Sequence, residues 1–169
     1  VSYFGYKESD FPSESGILKD IGNLIETLAK LRAAPIVDPY AGPAILAGKA
    51  SGVFFHEILG HRLEGHRIKS ESDSQTFKKK VGEKILPEFM SIVFDPSLRS
   101  LHGHALSGAY DYDDEATRGE RVVTIKNGVL QDFLMSRTPA DKFPRSNGHA
   151  RSQPGAKPVS RQSNLIVES

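Results

Sequence analysis

Arg121-Val122-Val123-Thr124-Ile125-Lys126-Asn127-Gly128-Val129-Leu130-Gln131-Asp132-Phe133-Leu134 sets two largely apolar, β-branched runs on either side of an Asn-Gly pair. Both turn residues tolerate positive φ, so the stretch predicts a β-hairpin closed by a tight turn. Working outward, Phe89 to Phe94 has strand composition and ends at Asp95-Pro96, and the run Ser163 to Ser169 is again strand-like. Upstream, Ile17, Ile21, Leu24, Leu28 and Leu31 fall at the four-three spacing of an amphipathic helix over 15–34, with Ser13 or Ser15 as cap and Pro35 as stop. Together these elements predict an α+β fold: a mostly antiparallel sheet, a long N-terminal helix and, as argued below, a distorted helix carrying the site.

The remaining segments complete the expectation. The apolar stripe of the first helix is read as packing on its own domain rather than as a coiled-coil seam for a partner. Pro39, Gly42 and Pro43 mark a turn, and Ala44-Ile45-Leu46-Ala47 reads as a short buried strand. Ser51 then caps a helix over 52–63. The charged, Ser-rich stretch 69–80 reads as a surface loop or loose helix, with a lid as the alternative, and 138–161 reads as irregular.

Composition narrows the function. The chain of 169 residues is 38% hydrophobic and 25% charged, enough apolar material for one domain over 1–169. With 22 basic and 21 acidic residues there is no field that would draw the chain onto nucleic acid or an anionic membrane. No apolar run approaches the ~20 residues of a membrane helix. Without cysteine, disulfides and thiolate ligands from this chain are excluded, leaving His, Asp and Glu as metal ligands. The first residue, Val1, follows no signal-like leader, and the strand-like end lacks a polar tail; these features read as a piece of a longer chain in a cytoplasmic protein.

Chemistry is concentrated in His56-Glu57-Ile58-Leu59-Gly60-His61. Two imidazoles beside a carboxylate are what a hydrolytic zinc site requires: ligands for the ion and Glu57 as general base activating metal-bound water. The spacing is one residue longer than His-Glu-two-His. At ~100° per residue, five positions leave His56 and His61 about 140° apart around a regular α-helix. Chelation therefore requires a wider turn or a break near Leu59-Gly60. By spacing alone, an ordinary pair of helix histidines is an equal reading. The apolar run Gly52-Val53-Phe54-Phe55 favours zinc, since it would set Glu57 in low dielectric, where a raised pKa suits a base.

The run from Gly52 through Arg62-Leu63-Glu64-Gly65 resembles the signature of the TldD/PmbA family of metallopeptidases, also known as modulators of DNA gyrase. The resemblance continues through Val93-Phe94-Asp95-Pro96-Ser97-Leu98, Tyr112-Asp113-Asp114-Glu115, Ile125 to Leu130, Ser146 to Arg151 and Arg161-Gln162-Ser163-Asn164, covering roughly Ile36 to Ser169. It implies a zinc peptidase trimming small or unfolded polypeptides, one ion per chain on His56 and His61 with Glu57 as base. It also implies a homo- or hetero-dimer with another family member; the absence of a nucleic-acid or membrane partner is expected from the balanced charge and the short apolar runs, not from the resemblance. The family's third ligand is a downstream Cys, absent here. His66 and Glu64 are the tentative replacements, Glu64 alternatively orienting a ligand His. Ala116 stands where the family usually has Gly, so the local turn is expected to differ.

Other polar clusters carry weaker signals. Asp111, Asp113, Asp114 and Glu115 read as a solvated loop, a hard-cation site being the alternative. His102 and His104 read as surface or structural. His149 with Arg145 and Arg151 fits either a carboxylate-binding group or a basic loop. The alternative to a peptidase is a non-catalytic peptide-binding or regulatory module with an incomplete metal site.

Overall fold

The computed structural model describes residues 3, 5–69, 77–140 and 142–169. Its centre is a four-stranded antiparallel sheet in the order β5-β4-β1-β8, with β1 at Ser91–Phe94, β4 at Val122–Lys126, β5 at Val129–Leu130 and β8 at Leu165–Glu168. The expected hairpin is β4–β5, and both turn residues have positive φ, 48° at Asn127 and 79° at Gly128. Short ladders pair β2 (Ser100–Leu101) with β3 (His104–Ala105), and β6 (Ala150–Arg151) with β7 (Val159–Ser160).

One face of the sheet carries the core. Ile92, Phe94, Ile125, Leu130, Phe133, Leu134 and Met135 are buried there, and Leu59, Leu63 and Ile68 from the motif segment pack onto them. At roughly 25 cal/mol per Å² of apolar surface, this burial is the main favourable contribution to the fold. It also fixes where the motif sits: two backbone bonds stitch the chain after the histidines to the segment leaving the hairpin, Leu134 N donating to Leu63 O at 2.9 Å and Gly65 N to Leu134 O at 2.8 Å.

The N-terminal half differs from expectation in three places. Helix α1, Glu14–Ala33, is capped by Ser13, whose Oγ accepts from Gly16 N at 3.3 Å, yet none of its residues is buried and Leu31 is 65% exposed. Ile21, Leu24, Leu28 and Leu31 are exposed and only Ile17 is half-buried, so the stripe is not packed on its own domain as expected. Residues 44–47 form no strand, and Ile45 and Leu46 are exposed. Helix α2 begins earlier than expected and spans Gly48–Ile58, so Ser51 is inside it, donating its N–H to Ala47 O at 2.8 Å. Residues 70–76 of the expected surface loop lie outside the described residues; 78–80 form a 3-10 turn. No described helix is long and apolar enough to cross a membrane.

Candidate metal centre

Helix α2 is held to the core through Phe55, partly buried against it, and through Leu59 just beyond its end. Its last α-type bond runs from Leu59 N to Phe55 O at 3.1 Å. At Leu59 the backbone stays in the right-handed region but φ widens to −108° (ψ −51°), and the α-helix gives way to a 3-10 helix over Gly60–Leu63. The expected distortion at Leu59-Gly60 is thus present, as a break and not as a widened turn. A 3-10 helix winds faster than an α-helix, so winding alone would move the rings farther apart; the change of direction at the break brings them together.

Gly60 lies at this break. A Cβ there would collide with the side-chain amide of Gln162, which lies directly against the Gly60 backbone. Both polar atoms of that amide, Oε1 and Nε2, are buried without a hydrogen-bond partner among the described residues.

His56 and His61 meet with ring centroids 4.6 Å apart. Glu57 stands between them, its carboxylate oxygens 3.8 Å from His56 Nε2 and from His61 Nε2. One ligand atom from each of these residues lies within 4.8 Å of the others, the single such group among the described residues. Bonds of about 2 Å to one ion require donors within about 4 Å of each other, so small rotations of these side chains close the set, and the donors fit a zinc ion. The carboxylate is not in the low-dielectric pocket expected of it: the Glu57 side chain is 62% exposed, because Val53 and Phe54 also face outward and only Phe55 turns to the core.

Behind His61 lies Glu64, which is 0% exposed. A carboxylate only accepts, so His61 Nδ1–H donates to Glu64 Oε1 at 3.1 Å, which fixes the tautomer and turns Nε2 toward Glu57. Burial of a carboxylate is costly unless it is compensated. Arg67 Nε donates to Oε2 at 3.0 Å and Arg161 Nε lies 3.3 Å from Oε1. Glu64 thus occupies the orienting position, and both its oxygens are engaged. His66 points elsewhere, donating Nδ1–H to Ser160 O at 3.0 Å, with burial lowering its pKa; it is not part of the group around Glu57.

The other polar clusters are structural. Asp113 is buried, not solvated: Oδ1 accepts from Glu115 N and Thr117 N, and Oδ2 from Ala150 N at 2.9 Å. Asp114 accepts from Ser152 N at 2.7 Å, and this bond lowers its pKa. With those oxygens bonded to N–H groups, they are not arrayed for a hard cation. His149 is fully buried and lies in no exposed basic loop; Arg145 pairs with Glu120 at 2.7 Å and Arg151 stacks over Tyr110 at 4.8 Å, so the three do not converge. His102 and His104 lie exposed at the β2–β3 turn. The roles of Arg161 and Gln162 depend on contacts made over long sequence separations that no spacing rule announces, whereas Arg67 stands three residues from Glu64, an ordinary helical pairing distance.

Comparison with known proteins agrees with this geometry. Residues 40–169 match the family described as PmbA/TldA metallopeptidase C-terminal domain. A metalloprotease of Methanothermobacter thermautotrophicus is 40% identical over 119 residues, 70% of this chain and 24% of that protein. A zinc metalloprotease TldD homolog of Saccharolobus solfataricus is 31% identical over 132 residues, 74% of this chain and 28% of that protein. The crystal structure of TldE from Thermococcus kodakarensis shares the fold with a TM-score of 0.54 at 22% identity, over 70% of this chain and 26% of that one. The chain spans about a quarter of the length of these relatives. With the family match covering most of its residues, and with the break that joins His56, Glu57 and His61, the chain belongs to the PmbA/TldD family of metallopeptidases.

Proposed function

We propose that this chain carries the zinc-binding hydrolytic centre of a peptidase acting on small or unfolded polypeptides, with His56 and His61 as ligands and Glu57 as general base. The observation that carries this reading is the convergence of the three side chains across a helix break, backed by a buried carboxylate that orients one of the rings. Zinc, when bound, supplies a Lewis acid that makes water acidic and polarises a carbonyl. Glu57 is exposed to an approaching substrate; it takes the proton from the attacking water and passes it to the leaving amine nitrogen. Glu64 holds His61 in the tautomer that leaves Nε2 free as a ligand.

A catalytic zinc normally has three protein ligands. Since Glu64 is fully engaged and His66 faces Ser160, the third is assigned to a residue outside this chain. A homo- or hetero-dimer with a family member is proposed as the working assembly. The exposed Leu24, Leu28 and Leu31 of α1 and Val53 and Phe54 of α2 offer it apolar surface. A second reading, a peptide-binding or regulatory module without catalysis, draws on the presence of only two imidazoles in the group. One comparison separates them: zinc content and hydrolysis of an unfolded protein such as casein, measured on the assembly that supplies the third ligand, with this chain unaltered and in two variants. His56→Ala is expected to lose zinc. Glu57→Gln is expected to keep zinc and lose hydrolysis by about 10²-fold or more. Zinc without hydrolysis in the unaltered assembly supports the module.

A further inference from the structure

A cavity of about 850 Å³ opens on the side of the molecule reached by the chain as it leaves the motif. Its floor is apolar, formed by Ile68 and Phe133, which are buried in the core, together with Val81 and Phe143. Its rim carries Lys69, Lys78, Lys79 and Lys142, all exposed. No carboxylate lines it among the described residues, and none of these four lysines makes an ion pair with a described residue, although the neighbouring Lys80 is paired with Glu83 at 2.6 Å. In a chain whose charges otherwise nearly cancel, 22 against 21, this is a local excess of cations facing an oily hollow. Lys69 and Ile68 belong to the 3-10 turn Gly65–Lys69, one step from Arg67, which holds Glu64 and through it His61.

We propose that this cavity is a docking site for a peptide segment in which an apolar side chain is flanked by carboxylates. The apolar side chain enters the floor, where burial of a Leu or Phe contributes about 1.5–3 kcal/mol, and the carboxylates meet the lysines. The inference rests on the peptidase reading, which makes the segment part of the substrate, and it gives that peptidase a preference for acidic, apolar stretches. Lysine suits the task as a mobile point charge that accepts carboxylates in varied positions.

Binding is tested on this chain in the presence of a chelator, so that hydrolysis does not interfere. Fluorescence anisotropy compares three labelled pentapeptides with the central triplets Glu-Leu-Glu, Glu-Ser-Glu and Lys-Leu-Lys. The first is expected to bind most tightly, with affinity falling as salt rises. The double charge reversal Lys78→Glu/Lys79→Glu is expected to weaken it about tenfold or more and to strengthen the Lys-Leu-Lys peptide. The neutral pair Lys78→Gln/Lys79→Gln is expected to fall between, with circular dichroism confirming that both variants fold. Equal binding of the three peptides, no binding, or affinities untouched by charge reversal would overturn the proposal. Casein hydrolysis by the zinc-loaded assembly that supplies the third ligand is read separately: its absence alongside the expected peptide preference sinks the peptidase reading and leaves the cavity with its ligand.

Discussion

His61 donates its Nδ1 proton to Glu64 across 3.1 Å, and Glu64 is a fully buried carboxylate clasped by Arg67 and Arg161. The orientation of the His61 ring, with Nε2 toward Glu57, is thereby tied to the core. Replacing Glu64 with Gln keeps an acceptor but removes the charge that balances the two guanidiniums. Zinc affinity, measured by competition with a chromophoric chelator, is expected to fall about 10- to 100-fold. An unchanged affinity would show that His61 is oriented by packing alone.

The contact between Gly60 and Gln162 yields a second prediction. A methyl group at position 60 meets the buried amide, so Gly60→Ala is expected to destabilise the chain by about 1–2 kcal/mol in urea unfolding. In a Gln162→Ala background the obstacle is gone, and the same change is expected to be neutral or stabilising, as helix propensity favours Ala over Gly by up to about 1 kcal/mol. A double-mutant cycle that closes without coupling would count against the contact.

His149 sets the acid limit of stability. It is sealed between Phe94 and Tyr110, its Nδ1–H bonded to Asn147 O at 3.0 Å and its Nε2 accepting from Ser163 Oγ at 3.0 Å. Burial depresses its pKa from 6.5 to about 4, against the opposing pull of the Asn147 carbonyl and of Asp113, Glu120 and Asp95. Between those values the unfolded chain binds the proton and the folded one does not. The contribution is therefore intact above about pH 6.5 and is lost as pH falls toward 4, by roughly 3 kcal/mol at about 1.4 kcal/mol per unit. Urea midpoints followed from pH 7 to pH 4 should show this slope, and a His149→Gln variant should flatten it.

How much of this was legible in sequence follows from the range of the interactions. Asn127-Gly128, the Ser13 cap and the impossibility of chelation by a regular helix at Leu59-Gly60 are local facts, decided by φ preferences and periodicity, and each has its counterpart in the structure. The exposure of Glu57 was not legible, because an apolar run such as Val53-Phe54-Phe55 records that surface is to be covered without recording by what. The same holds for α1, whose periodicity is correct and whose burial is not. Glu64, readable only as ligand or orienter, takes its position from Arg161, 97 residues away and beyond any spacing rule.

The uncovered stripe of α1 makes a prediction of its own. Because Leu24 and Leu28 are exposed, Leu24→Glu/Leu28→Glu is expected to leave the unfolding free energy of this chain within about 0.5 kcal/mol per site. If the proposed assembly uses this face, the same variant lowers the weight-average mass in sedimentation equilibrium. A large loss of stability would return the stripe to the core of its own domain.

Ala116 occupies a position where the backbone is left-handed, with φ 59°, inside the turn that Asp113 organises by accepting from Glu115 N and Thr117 N. The turn is closed by Ala116 N donating to Asp113 O at 3.0 Å, so the conformation is imposed by the surrounding bonds and not by the residue. An L side chain in this region costs about 1–2 kcal/mol, whereas glycine enters it freely but loses more backbone entropy on folding, about 0.5–1 kcal/mol. The strain is the larger quantity. Ala116→Gly is therefore expected to stabilise the chain by up to about 1 kcal/mol, read as a higher urea midpoint at an unchanged m-value. Replacement by Val, which is branched at Cβ and tolerates positive φ poorly, is expected to shift the midpoint the other way.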